Sequence, residues 1–125
     1  MKADELRRNN LVSYKGEIIK IEQITKRKIG YHKEPNETRM YYARLVDIYP
    51  IPITEQILDR CGFIHYATSY ARDRDRTEIW ETVKGWFLII NNYERESSVN
   101  LLIKHLHQLQ NAYYLASNTE IDIKI

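Results

Sequence analysis

Only one cysteine, Cys61, stands in the 125 residues, and glycine and proline are sparse at four and three. A single thiol forms no intramolecular disulfide and no cysteine-based zinc cluster. The glycines, at 16, 30, 62 and 85, are too dispersed for a phosphate-cradling loop or a dinucleotide fingerprint, and no G-x-S-x-G elbow occurs. Long apolar runs are missing too: the longest, Trp86 to Ile90, has five residues against the ~20 that a membrane-spanning helix needs. The opening MKADELRRNN has no apolar leader core, so a cytoplasmic location is expected and a membrane is not.

What is present is an ordinary globular composition, 43% hydrophobic and 29% charged, which predicts one folded domain over 1–125. Net charge is only +2 but unevenly spread: residues 1 to 45 hold eleven Lys/Arg against six Asp/Glu, while residues 46 to 125 hold eight against eleven. The basic first third points to an anionic partner.

The pattern LVSYKGEIIKIEQI from Leu11 predicts two strands turning at Lys15-Gly16. Residues 25 to 39, with breakers Gly30, Pro35 and Asn36, read as a long loop or a frayed hairpin. MYYARLVDIY, residues 40 to 49, is predicted as one strand ended by Pro50-Ile51-Pro52. Thr54 then caps a two-turn helix, with Gly62 as its left-handed terminator and Phe63 folding back on Leu58. Residues 63 to 70 and 78 to 91 read as strands, the second turning at Lys84-Gly85, with the ARDRDRT stretch as an exposed connection.

Ser97 or Ser98 is expected to cap a long helix through HLHQLQNAYY, residues 105 to 114. On that helix Val99, Leu102, Ile103, Leu106, Leu109, Tyr113 and Ala116 form a core-facing arc. His105 and His107, two apart, are expected on opposite flanks, which excludes their sharing a metal ion. Asn100, Lys104, His107, Asn111 and Tyr114 form a second, polar stripe at helical spacing and are the candidate partner-binding face. Ser117 and Asn118 end the helix, and EIDIKI predicts a final strand. The fold expected is α+β: an antiparallel sheet of five to seven strands, one short helix, and one long C-terminal amphipathic helix packed on it.

Three blocks, ELRRNNLVSYKGEIIKI, PIPITEQILDRCGF and IKHLHQLQNAYYLASNTEIDIKI, resemble a group of small proteins of Bacteroidota and of their phages and mobile elements. Where those proteins tend to have a glycine near the first strand, this chain has Arg8-Asn9-Asn10. The resemblance implies no catalytic residues. It implies a phage- or mobile-element-associated accessory protein, of the kind that blocks a bacterial defence system such as CRISPR by binding a host protein or ribonucleoprotein.

The residues themselves suggest no enzyme and no cofactor. Cys61 ends a capped helix and reads as a small core residue rather than a thiolate. Asp73 and Asp75 are interleaved with arginines and read as a solvated loop, not a cation site. The alternative to the accessory role is a small RNA- or DNA-binding module. Arg7, Arg8, Lys26, Arg27, Lys28, Lys33 and Arg39 surround the first hairpin, with Tyr14 and Tyr31 as stacking candidates. A homodimer through the helix face is a third reading.

Overall fold

The computed structural model describes residues 1–72, 76–92 and 97–124. The chain is α+β and divides into two compact units, Met1–Ile51 and Pro52–Ile125. Asp73, Asp75 and the residues 93–96 ahead of the expected Ser97 cap lie outside the described residues.

In the first unit, β1 (Leu11–Tyr14) and β2 (Glu17–Lys20) pair antiparallel around Lys15 and Gly16. Both turn residues have positive φ, 51° and 80°. That pair of left-handed residues makes the tight turn whose twist matches the strands, and glycine at its second place relieves the strain. The frayed hairpin is real: β3 (Gln23–Ile24) and β4 (Lys28–Tyr31) pair antiparallel, and β4 also pairs with β5 (Tyr41–Arg44).

The single strand expected over 40 to 49 is broken. A 3-10 turn at Leu45–Asp47 separates β5 from β6 (Ile48–Tyr49), which pairs instead with β1. The break lets Leu45 and Ile48 both enter the core that the two three-stranded sheets share with Val12, Ile19, Ile21 and Ile29. Ahead of β1, Asn9 adopts φ 76°, the left-handed conformation a glycine would otherwise supply. Asn10, fully buried, closes this turn by accepting from Arg7 N at 2.7 Å through its side chain.

In the second unit, α1 (Glu55–Arg60) is bounded as its sequence predicts. Thr54 Oγ1 accepts from Ile57 N at 3.2 Å. At the other end Phe63 N donates to Leu58 O and Gly62 N to Asp59 O, each at 3.0 Å, the paired bonds of a left-handed helix stop. A five-stranded antiparallel meander follows: β7 (Ile64–His65), β8 (Tyr70–Arg72), β9 (Thr77–Thr82), β10 (Gly85–Asn92) and β11 (Ser97–Ile103), adjacent in sequence order. The strand expected over 63 to 70 shrinks to two residues. The connection expected to be exposed is buried at Ala71, Arg72 and Thr77, where the chain is already strand; Arg72 lies between the rings of Phe63 and Tyr113, 5.9 and 5.5 Å from their centroids.

The largest correction concerns residues 97 to 103. They form β11, pairing with β10 from Asn92↔Ser97 to Trp86↔Ile103, and α2 runs only from Leu106 to Ser117. The segment SSVNLLI satisfies both periods: Val99, Leu102 and Ile103 fit a helix, while Val99, Leu101 and Ile103 fit one face of a strand. Seven residues of backbone pairing with β10 decide for the strand. α2 lies against β10 and β11, burying Leu106, Leu109, Ala112, Tyr113 and Ala116. Asn118 ends it at φ 59°. The expected last strand is absent over 120–124; Ile121 is buried, and Lys124 N donates to Arg60 O at 2.9 Å.

Candidate nucleic-acid interface

The five residues of the expected polar stripe do not share a face. Asn100 sits on β11, Lys104 follows that strand, and His107 is 5% exposed in the first turn of α2. Asn111 is half-buried, and Tyr114, 38% exposed, is the one open aromatic of the set. The stripe required a helix through residue 100, and α2 begins six positions later. His105 and His107 are not on opposite flanks either: their rings stack with centroids 5.9 Å apart. His105 is the extended residue before the helix (φ −129°, ψ 152°), so the 100° helical step does not relate the pair.

The basic residues of the first unit come together more closely. Thr25 pins the β3–β4 turn: its hydroxyl accepts from Lys28 N at 3.2 Å, and its own N donates to Lys28 O at 2.9 Å. Side-chain bonds of this kind hold a tight turn in place, and here they set Lys26 and Arg27 at the exposed tip. Lys28 begins β4 directly opposite Arg44 of β5. Like charges facing each other across strands repel, and two neighbours offset the repulsion. Arg44 Nε donates to Asp47 Oδ2 at 2.9 Å, which raises the guanidinium pKa further; Lys28 Nζ lies 4.3 Å over the ring of Tyr42.

Tyr42 is 50% exposed and shares the outer face of β5 with Arg44, while Ala43 points into the core. Lys33 and Arg39 flank Tyr41, at 4.3 and 4.8 Å from its centroid, and Tyr41 Oη donates to Glu37 Oε1 at 3.1 Å. Lys26, Arg27 and Lys28 make no ion pair among the described residues. The unit as a whole carries eleven Lys/Arg against seven Asp/Glu.

Arg7 and Arg8 belong elsewhere in the unit. Arg7 is half-buried with its guanidinium on Arg8 O at 3.2 Å, and Arg8 pairs with Glu22 at 3.8 Å. The stacking candidates also change. Tyr31 is 7% exposed, inside a Tyr14–Tyr31–Tyr41 ladder with 5.9 Å centroid spacings, and burial raises its phenol pKa. Tyr42 takes their place. The alternation of Tyr42, Ala43 and Arg44 was the available signal, since one small apolar residue between two polar-tipped ones marks which way each points.

Cys61 is 1% exposed and burial pushes its thiol pKa up to about 12. Among the described residues no group of three His, Cys, Asp or Glu could hold a metal ion, and no helix is long and apolar enough to cross a membrane. Comparison with protein-family models, curated proteins and solved structures finds no match.

Proposed function

We propose that the unit formed by residues 1–51 binds single-stranded nucleic acid. The observation that carries this reading is the half-exposed Tyr42 ring with the Lys28 ammonium 4.3 Å over it, beside the Lys26-Arg27 turn tip. A base stacks on the open part of the ring, and the turn cations meet the flanking phosphates. Tyr42, Lys26, Arg27 and Lys28 are the contact residues; Lys33 and Arg39 extend the positive surface around Tyr41. No reaction is assigned to the chain. The resemblance of its sequence blocks to phage and mobile-element proteins supports an accessory role, and a defence ribonucleoprotein presents the same RNA chemistry to this surface.

Fluorescence anisotropy with labelled oligo-uridine and oligo-thymidine tests the proposal. Tyr42→Ala should weaken binding by about 1–3 kcal/mol, the worth of one base–aromatic stack. Replacing both Lys26 and Arg27 by alanine should flatten the log K against log salt slope by about 1.4, at ~0.7 per phosphate contact on single strands. Absence of binding at low salt, or affinity indifferent to Tyr42→Ala, would overturn it.

A further inference from the structure

Tyr41 Oη donates to one carboxylate oxygen of Glu37, Oε1, at 3.1 Å. The other oxygen, Oε2, is buried and has no hydrogen-bond partner among the described residues. Buried acceptors are almost always satisfied, so an empty one needs an explanation. Glu37 is also held firmly. Its N donates to Glu34 O at 3.2 Å, closing a turn in the loop between β4 and β5, and His32 Nδ1 donates to Arg39 O at 2.8 Å across the same loop. Two cations stand near and are turned elsewhere: Lys33 Nζ and the Arg39 guanidinium lie 4.3 and 4.8 Å from the Tyr41 centroid. Both are exposed, and neither makes an ion pair among the described residues.

These surroundings select the donor that Oε2 accepts from. A metal ion is excluded, because no group of three His, Cys, Asp or Glu among the described residues could hold one. A ligand ammonium or guanidinium would join Lys33 and Arg39 as a third positive charge around one ring. A neutral N–H is left, and the two cations beside it call for negative charge on the same ligand. A nucleotide whose base carries an exocyclic amine has both groups. A neutral peptide amide has only the first.

We propose that Glu37 Oε2 accepts from the exocyclic amine of a base, with Lys33 and Arg39 on the adjoining phosphates, so that single strands of cytosine are preferred to those of uracil. This rests on the nucleic-acid reading above and adds base selectivity to it. Tyr41 and Tyr42 are neighbours on β5, an edge strand of its sheet, and point to opposite faces. The base at Glu37 is therefore a different one from the base stacked on Tyr42. Cytosine and uracil have the same ring size, and they differ where cytosine carries its amine and uracil a carbonyl. Uracil's one N–H lies between two carbonyl oxygens, which an anionic acceptor repels.

Fluorescence anisotropy of the full chain with labelled oligo-cytidine and oligo-uridine of equal length, at one salt concentration and neutral pH, tests the proposal. Oligo-cytidine should bind about tenfold more tightly, the worth of one hydrogen bond to a charged acceptor. Glu37→Gln keeps the shape of the side chain and removes the anionic acceptor. It should abolish the preference with both oligomers still bound and the far-UV spectrum unchanged. Equal affinity of the wild type for the two oligomers would overturn the inference and leave the Tyr42 reading standing, water then filling the position at Oε2. A preference that survives Glu37→Gln would overturn it as well. Failure of either oligomer to bind at low salt would overturn the nucleic-acid reading, and this inference with it.

Discussion

The imidazoles of His105 and His107 stack 5.9 Å apart and within 11° of parallel, because the first is the last extended residue before α2 and the second lies inside its first turn. Gln108 holds that junction. Its Oε1 accepts from Lys104 N at 2.8 Å and from His105 N at 3.0 Å, so one amide oxygen satisfies two backbone donors where strand gives way to helix. Gln108→Ala should destabilise the second unit by about 1 kcal/mol, the usual worth of a cap. Gln108→Glu, which keeps the acceptor, should retain most of it. Urea unfolding followed by tryptophan fluorescence reports this unit, since Trp80 and Trp86 both belong to it.

Leu109 is fully buried on the face of α2 that meets the sheet, and Leu115 is 74% exposed. Leu109→Ala should cost ~2–5 kcal/mol, transfer and cavity terms together. Leu115→Ala should change stability by under about 0.5 kcal/mol. Equal losses in the same unfolding assay would contradict the placement of the helix faces.

Gly62 has φ +84°, and a Cβ built on it meets nothing within 4 Å. The cost of Gly62→Ala is therefore one of backbone conformation alone, about 1–2 kcal/mol for a left-handed alanine. Gly62→Asn should cost less, because its short amide tolerates that conformation. A thermal shift ordered glycine, asparagine, alanine from most to least stable is the expected result.

Burial raises the Cys61 thiol from 9.0 to about 12, with the Arg72 charge opposing it. The folded chain thus holds its proton more tightly than the unfolded chain. The stability this group contributes is present below pH about 9, declines above it, and is gone once pH passes about 12. At neutral pH the native protein should resist iodoacetamide, and labelling should become fast on adding urea. Rapid native labelling would place the thiol at the surface.

Local chemistry was readable wherever a few neighbouring residues settle the backbone. Thr54 and Gly62 bracket α1, Lys15-Gly16 turns the first hairpin, and Asn118 ends α2. Each of these depends on bonds or dihedrals spanning six residues or fewer, so no distant partner can reverse them. The basic character of the first third was equally plain, and the alternation of Tyr42, Ala43 and Arg44 was legible too; that Tyr31 is buried and Tyr42 half-exposed depends on which face of the sheet meets the core.

Residues 97 to 103 mark where local reading stops. Their apolar spacing suits a helix and a strand alike, and intrinsic preference separates the two by less than a ladder of backbone hydrogen bonds contributes. β10 supplies that ladder, which turns Asn100 from a helix residue into an edge-strand residue and leaves His107 buried. Composition and short-range chemistry by themselves determined an α+β chain with a capped helix, tight hairpins and a positive first third. The tertiary structure alone decided where the last helix begins and which side chains meet solvent, because an ambiguous period is settled by the partner strand that completes its hydrogen bonds.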